Sequence, residues 1–266
     1  MKKDHSKDDL LVISFSGGQT SGLMTKILMD NKAYKNQFVC FMNTGREHEK
    51  TLKFVHDFEV NFNIPIVWIE FDFKESGGFK VVNYETASRN GEPFAKMLSL
   101  KSYLPNVVKR FCTTELKIRP LKKYIMSLGY KQWTQAVGLR FDEQSRIARI
   151  NSHKDRFWTI CPLNDFKTTK QDVLNYWENQ PFKLEIESYL GNCDCCFLKG
   201  IKKIKRIERE TPALLDWWIE QEKKSNGATF RKDTSYSLLR HLVKINPTLF
   251  DQINDIADIE CFCNVD

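Results

Sequence analysis

The feature that most constrains this chain is a stretch near its start, residues 10–21, with the sequence LLVISFSGGQTS. Residues 10–14 are mostly apolar and predict a buried strand, and the apolar spacing over residues 21–30 predicts a helix. Gly17 and Gly18 lie between them and allow the backbone to approach a phosphate closely, while the N–H groups at the helix start point toward it. The order of strand, glycine turn and helix therefore predicts a phosphate-binding loop.

The hydroxyl groups of this stretch support the same prediction. Ser16, Thr20 and Ser21 can each donate a hydrogen bond to a phosphate oxygen. The spacing lacks the Gly-Lys-Ser/Thr of a Walker A loop and the G-x-G-x-x-G of a dinucleotide-binding turn. The alternative is an ordinary strand-to-helix turn that binds no ligand.

Composition limits the class of protein. The chain has 266 residues, a net charge of +7 and no apolar run near the roughly 20 residues that span a bilayer. Its first ten residues are polar and lack the apolar core of a signal peptide, so we expect a cytoplasmic protein with no membrane partner. The positive charge fits contact with phosphates or nucleic acid, although it also serves solubility.

Strands and helices alternate along the first two thirds of the chain. Further strands are predicted at residues 37–42, 65–71, 132–138 and 157–161, with helices between most of them. This pattern predicts an α/β fold, a Rossmann-like parallel sheet of about five strands flanked by helices. We expect a nucleotide-binding domain over residues 1–183 and a smaller, mostly helical, cysteine-containing region over 184–266. The polar residues 74–91 predict a long loop, either a lid or a disordered insertion.

Polar residues follow the predicted strands, where ligands bind in open parallel sheets. Residues 43–47 follow the second strand, and Asp72 follows the third. The carboxylates of Glu47 and Asp72 could hold Mg²⁺ around bridging phosphates. The alternative is that they are ordinary carboxylates of a helix start and a loop.

Fixed positive charges occur in two later segments and could bind phosphate, for which arginine has a matching geometry. They are Arg110, Lys117, Arg119, Arg140 and Arg146. Glu143 lies between the last two, and we expect it to orient them. For any one of the arginines taken alone, a solvated surface charge is the favoured alternative.

Eight cysteines are present, several of them clustered, which in a chain of this length indicates metal or thiol chemistry more often than disulfides. Cys193 and Cys196 form a C-x-x-C pair, and Cys112 stands at a predicted helix start, where a thiol pKa is lowered. The sequence predicts that these three meet at one metal site. The alternative is reduced cysteines without a ligand.

Five segments resemble known families. SGGQTS resembles the PP-loop of the adenine nucleotide alpha-hydrolase superfamily. Four further segments resemble the PAPS reductase family, particularly its small phage- and mobile-element-type members. They are FMNTGREHEKT (41–51), RFCTTELKIRPL (110–121), GLRFDEQSR (138–146) and CPLNDFKTTKQDVLNYW (161–177).

The resemblance implies that the chain binds an adenine nucleotide, as ATP with Mg²⁺ or as PAPS. It implies Lys117, Arg140 and Cys261 as catalytic residues. The implied nucleotide-binding residues are Ser16, Gly17, Gly18, Thr20, Ser21, Asn43, Thr44, Gly45, Glu47, Asp72, Arg110, Arg119, Gly138, Glu143 and Arg146.

In some branches of the family, a cysteine of the 110–121 segment and a later C-x-x-C pair bind an iron–sulfur cluster. Cys112, Cys193 and Cys196 match those positions, which implies a 4Fe-4S cluster, with tetrathiolate zinc as the alternative. Branches with a full ligand set carry Cys-Cys where Phe111 and Cys112 stand. The fourth ligand is therefore open between Cys263, which we favour, Cys195, Cys261 and an open iron position.

Three functions are open, and the resemblance implies the first two. The first is an ATP pyrophosphatase-type enzyme that adenylates an acceptor for sulfur transfer, with tRNA or DNA as acceptor and a sulfur donor such as a cysteine desulfurase as partner. The second is a thiol-dependent sulfonucleotide reductase, because Glu260-Cys261 resembles the E-C-G-L-H end of those enzymes, although Gly, Leu and His are absent here. The third is a nucleotide- or nucleic-acid-binding subunit without turnover.

Overall fold

A six-stranded sheet forms the centre of the computed structural model, which describes residues 10–31, 34–75, 77–150, 156–191, 193–246 and 248. The strands are β1 Leu10–Phe15, β2 Asn36–Asn43, β3 Ile66–Phe71, β4 Phe79–Val82, β5 Trp133–Val137 and β6 Phe157–Ile160. They are ordered β4-β3-β2-β1-β5-β6, and every neighbouring pair is parallel except β3 and β4. The predicted α/β class is confirmed, with one strand more than the expected five.

Helices flank the sheet and build the C-terminal part. They are α1 Gln19–Asn31, α2 Glu49–Phe62, α3 Glu92–Ser99, α4 Phe111–Thr113, α5 Arg119–Ser127, α6 Gln144–Ile150, α7 Pro162–Asp165, α8 Lys170–Glu178, α9 Ile201–Glu210, α10 Ala213–Lys224 and α11 Tyr236–Ile245. A π-helical segment, Thr114–Ile118, joins α4 to α5. None of the helices in the described part of the chain is long and apolar enough to cross a membrane.

The central strand β1 is buried along its whole length, as expected for a parallel strand covered on both faces. Leu11 and Ile13 belong to one hydrophobic cluster and Leu10 and Val12 to another, because successive side chains point to opposite faces. The strand after β1 in sequence lies on one side of it and β5 lies on the other. The carboxyl end of β1 is therefore the point where the strand order reverses, which is where open α/β sheets bind ligands.

The described residues of the stretch 74–91, which is predicted as a long loop and either a lid or a disordered insertion, contain the strand β4, so the disordered insertion is wrong and the lid stays a prediction. The buried carboxylate of Glu70 accepts hydrogen bonds from Ser88 N (2.6 Å) and pairs with Lys80 Nζ (2.9 Å). Arg89 Nε donates to Glu49 Oε2 at 2.8 Å. The four residues of β4 are too few to show a clear alternation in sequence, which is why this strand was missed.

The C-terminal helices share a hydrophobic cluster with the α/β part. Trp218, Phe230 and Tyr236, all fully buried, belong to the same cluster as Phe94 and Leu116. The C-terminal part is helical, as predicted, and it packs directly against α3 and the π-helical segment. The boundary between residues 183 and 184 stays a prediction.

Candidate functional site

The loop after β1 is closed by a single side chain. Ser21 Oγ accepts a hydrogen bond from Ser16 N at 3.1 Å and donates to Gly18 O at 2.9 Å. The two hydroxyl groups of Ser16 and Ser21 are also 2.9 Å apart. Helix α1 begins directly after this turn, and the first N–H groups of a helix have no acceptor within the helix. The loop is therefore held in a fixed shape around a set of donors suited to an anion.

The two glycines of the loop have different roles. Gly17 has a φ of +77°, and a Cβ built on it would lie 2.6 Å from Thr51 Cγ2, so its missing side chain faces the protein interior. A Cβ on Gly18 would meet only Ser16 Oγ, at 3.7 Å. A side chain on Gly17 would therefore press into the protein interior and not into the phosphate path, and Gly18 is the position that adjoins the open side of the loop.

Replacing Gly18 by valine is expected to weaken ATP binding at least about tenfold, because the branched side chain would fill space beside the loop donors. The melting temperature should change little. Gly17→Val should instead lower the free energy of unfolding by about 1–3 kcal/mol, because its backbone conformation is strained for any other residue. Titration calorimetry and thermal melts separate the two effects, and unchanged ATP affinity in a folded Gly18→Val variant would contradict the phosphate-loop assignment.

The chain after β5 presses against the start of α1. A Cβ on Gly138 would lie 3.0 Å from Ser21 Cα, so this close approach requires glycine. Trp177 Nε1 donates to Gln19 O at 2.8 Å and adds a second contact to the first turn of α1. The Gly138 contact positions the 138–146 segment beside the phosphate loop, and the Trp177 bond fixes α8 against the same turn.

Arg140 extends from this segment to the loop. Its Nη1 lies 3.3 Å from Thr20 Oγ1. Glu143 accepts a hydrogen bond from Arg140 N at 2.9 Å and contacts the guanidinium of Arg146 as well. Glu143 thus lies between the two arginines and restrains both, in the position expected of a residue that orients them.

The turn after β2 is organised by two side chains. Asn43 Oδ1 accepts from Gly45 N at 3.1 Å. The carboxylate of Glu47 accepts from Thr44 N at 2.8 Å and from Thr44 Oγ1 at 2.9 Å. Glu47 is buried, and its local hydrogen bonds fix the direction of its carboxylate.

Lys117 connects the π-helical segment to these loops. Its Nζ lies 3.8 Å from Glu47 Oε1. Together with Ser14, Ser16 and Gln135, it lines one small pocket below the phosphate loop. Single π-helical turns occur frequently at functional sites. Lys117 is therefore a cation within reach of both the β1 and the β2 loops.

Three other predicted residues are engaged elsewhere. Asp72 pairs with Lys96 at 2.6 Å, and although burial opposes it, that bond lowers the pKa of the Asp72 carboxyl. Arg119 is mostly exposed and pairs with Glu115 at 2.8 Å. Arg110 immediately precedes α4 and is half-buried. Their roles in nucleotide binding stay predictions.

The cysteine loop at residues 193–196 is joined to the turn after β2. Cys193 forms an antiparallel bridge with Glu47, and Asp194 N donates to Arg46 O at 2.9 Å. Thr44 Oγ1 lies 3.6 Å from Cys193 Sγ. The thiols and the predicted nucleotide site are therefore neighbours.

Cys193 and Cys196 are buried, whereas Cys112 is only partly buried, and the pKa of each of these three thiols is raised. Burial, together with neighbouring Cys193, raises the pKa of Cys112 to about 12. Burial and Glu47 raise the pKa of Cys193 to about 12, and burial raises that of Cys196 to about 11. Although these thiols influence one another, no group of three or more His, Cys, Asp or Glu side chains among the described residues is arranged to hold a metal ion. Cys261 and Cys263 lie outside the described residues, so the metal site stays a prediction and we derive no chemical step from it.

Sequence reasoning missed a buried ion pair at the centre of this junction. The guanidinium of Arg46 contacts the carboxylate of Asp194 and lies 5.0 Å from the ring centre of Trp217. Asp194 also accepts from Trp218 Nε1 at 2.8 Å. Arg46 and Asp194 are both less than 10% exposed (7% and 4%). Their sequence neighbours are polar or cysteine, so no pattern in the sequence marks either charge as buried.

The fold and the loop define the class of this protein. A hydroxyl- and glycine-lined loop at the switch point of a mostly parallel sheet, with Arg140 and Lys117 beside it, is the arrangement of a PP-loop-type α/β protein. Residues 10–185 match the family described as the phosphoadenosine phosphosulfate reductase domain, and the chain belongs to that family.

Several known proteins are similar to this chain. The nin region protein ORF290 of Escherichia phage lambda is 33% identical over 73% of this chain and 67% of its own length. Two proteins of Methanocaldococcus jannaschii are 26% and 28% identical over 78% and 81% of this chain. The chain spans less than half of their lengths, 40% and 48%. Among solved structures, the U34-tRNA thiolase NcsA of Methanococcus maripaludis, with its 4Fe-4S cluster, matches with a TM-score of 0.43 and 16% identity over 99% of this chain and 78% of its own.

Proposed function

We propose that this protein cleaves ATP between the α- and β-phosphates and transfers the adenylyl group to an acceptor that then receives sulfur. The observation that best supports the proposal is the meeting of the closed Ser16–Ser21 loop with Lys117 and Arg140 at the end of β1. These groups supply hydroxyl donors, backbone donors and two fixed positive charges. Such a set stabilises the negative charge that develops on leaving pyrophosphate.

The proposed reaction has two steps. An oxygen of the acceptor attacks the α-phosphorus, the bond from that phosphorus to the bridging oxygen breaks, and pyrophosphate leaves with the electron pair. The outer sulfur of a persulfide on a separate donor then attacks the activated carbon, and AMP leaves with the electron pair of the carbon–oxygen bond. A second thiol of the donor attacks the donor-side sulfur of the resulting acceptor–donor disulfide, which releases the thiolated acceptor, and the two donor thiols supply the two electrons by forming a disulfide. Mg²⁺ bound to the phosphates would neutralise part of their charge, and the carboxylate of Glu47, which lies 3.8 Å from Lys117 Nζ, would supply an oxygen ligand for it.

For the acceptor we favour a nucleic acid, RNA such as tRNA or DNA, and for the donor a persulfide-forming enzyme such as a cysteine desulfurase. The net charge of +7 supports an anionic acceptor.

A second candidate is a sulfonucleotide reductase, and the observation that favours it is the position of Cys193, 3.6 Å from Thr44 in the predicted nucleotide site. In that reaction a thiolate would attack the sulfur of PAPS and release adenosine 3′,5′-bisphosphate. A second thiol would then form a disulfide and release sulfite. The two electrons that reduce the sulfur come from the two thiols.

Products distinguish the candidates. Incubation with ATP and Mg²⁺ is expected to release AMP and pyrophosphate, at a rate that rises when a thiolatable RNA or DNA is added. Incubation with PAPS and a dithiol is expected to release no sulfite. Sulfite without pyrophosphate would replace the first candidate by the second, and tight ATP binding without either product would indicate a subunit without turnover.

A metal analysis tests the cysteine prediction. Anaerobically purified protein is expected to contain iron and sulfide, and to lose both in Cys112→Ser and Cys193→Ser variants. The control is Cys40→Ala, because Cys40 is buried within β2, in a different hydrophobic cluster from Cys193. Since thiols with a pKa of 11–12 must lose protons to bind a metal, affinity should rise with pH. Wild-type protein without iron or zinc would contradict the prediction.

A further inference from the structure

An open groove lies on the side of the π-helical segment and α5 that faces away from the phosphate loop. Its floor is apolar, formed by the buried side chains of Phe71 and Met97. Phe73 and Leu100 stand on its sides and are 42% and 52% exposed. Apolar side chains exposed together beside a groove indicate a binding surface more often than isolated ones do.

The rim of this groove carries three cations and two carboxylates, a net charge of +1. Lys101, Arg119 and Lys123 line it, together with the carboxylates of Glu75 and Glu115. Glu115 is already neutralised twice, by Lys101 at 3.0 Å and by Arg119 at 2.8 Å. A Cβ built on Gly78 would lie only 2.4 Å from Lys123 Nζ. The Lys123 ammonium therefore packs against the turn before β4. The rim therefore favours an anion.

The neighbouring loop, residues 100–111, continues the same surface. The rings of Tyr103 and Phe111 pack edge to face at 5.0 Å. Lys109 lies over Tyr103 at 5.4 Å, and Lys101 lies over Phe111 at 5.7 Å. Val108, at the tip of this loop, is 89% exposed. Aromatic rings and cations therefore alternate along one continuous surface, which we call the aromatic–basic groove.

We propose that the aromatic–basic groove binds a single-stranded segment of nucleic acid. Proteins that hold single strands combine aromatic rings, on which bases stack, with cations that follow the phosphates. Phe73 and Tyr103 are exposed enough to stack with bases, and Arg119 and Lys123 are placed for phosphates. A purely acidic peptide would use the cations and leave the exposed rings without partners, so charge and rings together favour the nucleic acid.

The position of the groove suits a site that holds the nucleic-acid acceptor of the proposed reaction. This role of the groove rests on the proposed function. The loop that carries Tyr103 and Lys109 leads directly into α4, where Cys112 is only partly buried. Lys117, in the π-helical segment that forms the groove wall with Glu115, contacts Glu47 on the nucleotide side. A strand held in the groove would therefore pass the end of α4 to reach the thiols and the nucleotide.

The test is fluorescence anisotropy with labelled, mixed-sequence single-stranded RNA and DNA of about 16 nucleotides, the upper end of site sizes for such surfaces. Arg119→Glu with Lys123→Glu is expected to weaken binding at least about tenfold and to lower the slope of log affinity against log salt by about 2. Phe73→Ala should weaken binding roughly tenfold with an unchanged salt slope, because it removes stacking and no charge. The matched controls are Lys131→Glu, before β5 at the opposite end of the sheet, and Phe166→Ala, an exposed ring after α7.

Two outcomes would overturn the inference. One is wild-type oligonucleotide affinity in folded groove variants. The other is a polyglutamate peptide that binds the groove as tightly as the oligonucleotide does. ATP affinity, measured on Phe73→Ala and on a Lys123→Glu single variant, should stay at the wild-type value; Arg119 is left out of this comparison because the family resemblance places it among the nucleotide-binding residues. If the groove binds the oligonucleotide but the protein releases no pyrophosphate from ATP, the proposed function alone is rejected. If the protein releases pyrophosphate but the groove variants bind the oligonucleotide as the wild type does, the groove inference alone is rejected.

Discussion

Arg46→Ala is expected to lower the free energy of unfolding by about 3–5 kcal/mol, which is the usual cost of breaking a buried ion pair from one side. The variant would leave the Asp194 carboxylate buried with Trp218 as its remaining side-chain donor. Burial already raises the pKa of Asp194, so the charged form depends on the cation beside it. The contact of Arg46 with the Trp217 ring would be lost as well. Urea denaturation followed by tryptophan fluorescence measures the change.

The control for this prediction is Arg89→Ala. Arg89 also pairs with a carboxylate, Glu49, at 2.8 Å, but the two side chains are 32% and 54% exposed. Exposed pairs contribute about 0–1 kcal/mol, so the loss should be several times smaller. A second test replaces both partners, Arg46→Met with Asp194→Leu, and should recover much of the stability because no charge is left unpaired. Equal losses in Arg46→Ala and Arg89→Ala would show that the buried pair has no special role.

Lys117→Met is expected to reduce the rate constant for pyrophosphate release by about 10²–10³, the usual effect of removing one preorganised charge-stabilising donor. Methionine keeps most of the apolar stem, so the packing of the π-helical segment should persist. Because Lys117 faces the pocket below the phosphate loop, its charge should act on the transition state more than on ATP binding. Steady-state kinetics should therefore show a fall in kcat with a small change in KM.

The matched control is Lys131→Met, which removes an exposed charge before β5 at the other end of the sheet. Its rate should remain at the wild-type value. Normal turnover in a folded Lys117→Met variant would remove Lys117 from the mechanism. A rise in KM alone would reassign it to nucleotide binding.

The sheet could be predicted from sequence because its strands are short apolar runs bounded by turn residues. β1 and β3 are of this kind, and each was placed within one residue at either end. β4 could not be predicted in this way, because its four residues are partly exposed. The strand is stabilised by pairing with β3 and by the Lys80–Glu70 contact. That pairing is a tertiary contact, which local pattern does not encode.

The site could be predicted only in part, for a related reason. The position of Ser16–Ser21 follows from a strand, a glycine turn and a helix, all of which are local. The direction in which a Cβ on Gly17 would point does not follow from local sequence, because its surroundings include Thr51 of α2, which is distant in the chain. The burial of Arg46 could not be predicted either, because an arginine in a polar turn is ordinarily solvated. Arg46 is buried because Trp217 and Asp194 pack against it.

The pairing of the turn after β2 with the cysteine loop has a consequence for how this chain can diverge. Asp194 N bonds to Arg46 O, and Cys193 bridges Glu47, so the two loops are aligned by main-chain atoms. Exchanging side chains leaves such an alignment in place, whereas adding or deleting one residue in either loop would shift every contact across it. Lineages of this protein should therefore tolerate replacement in these loops more readily than changes in their length, and the two loops should be inherited as a matched pair.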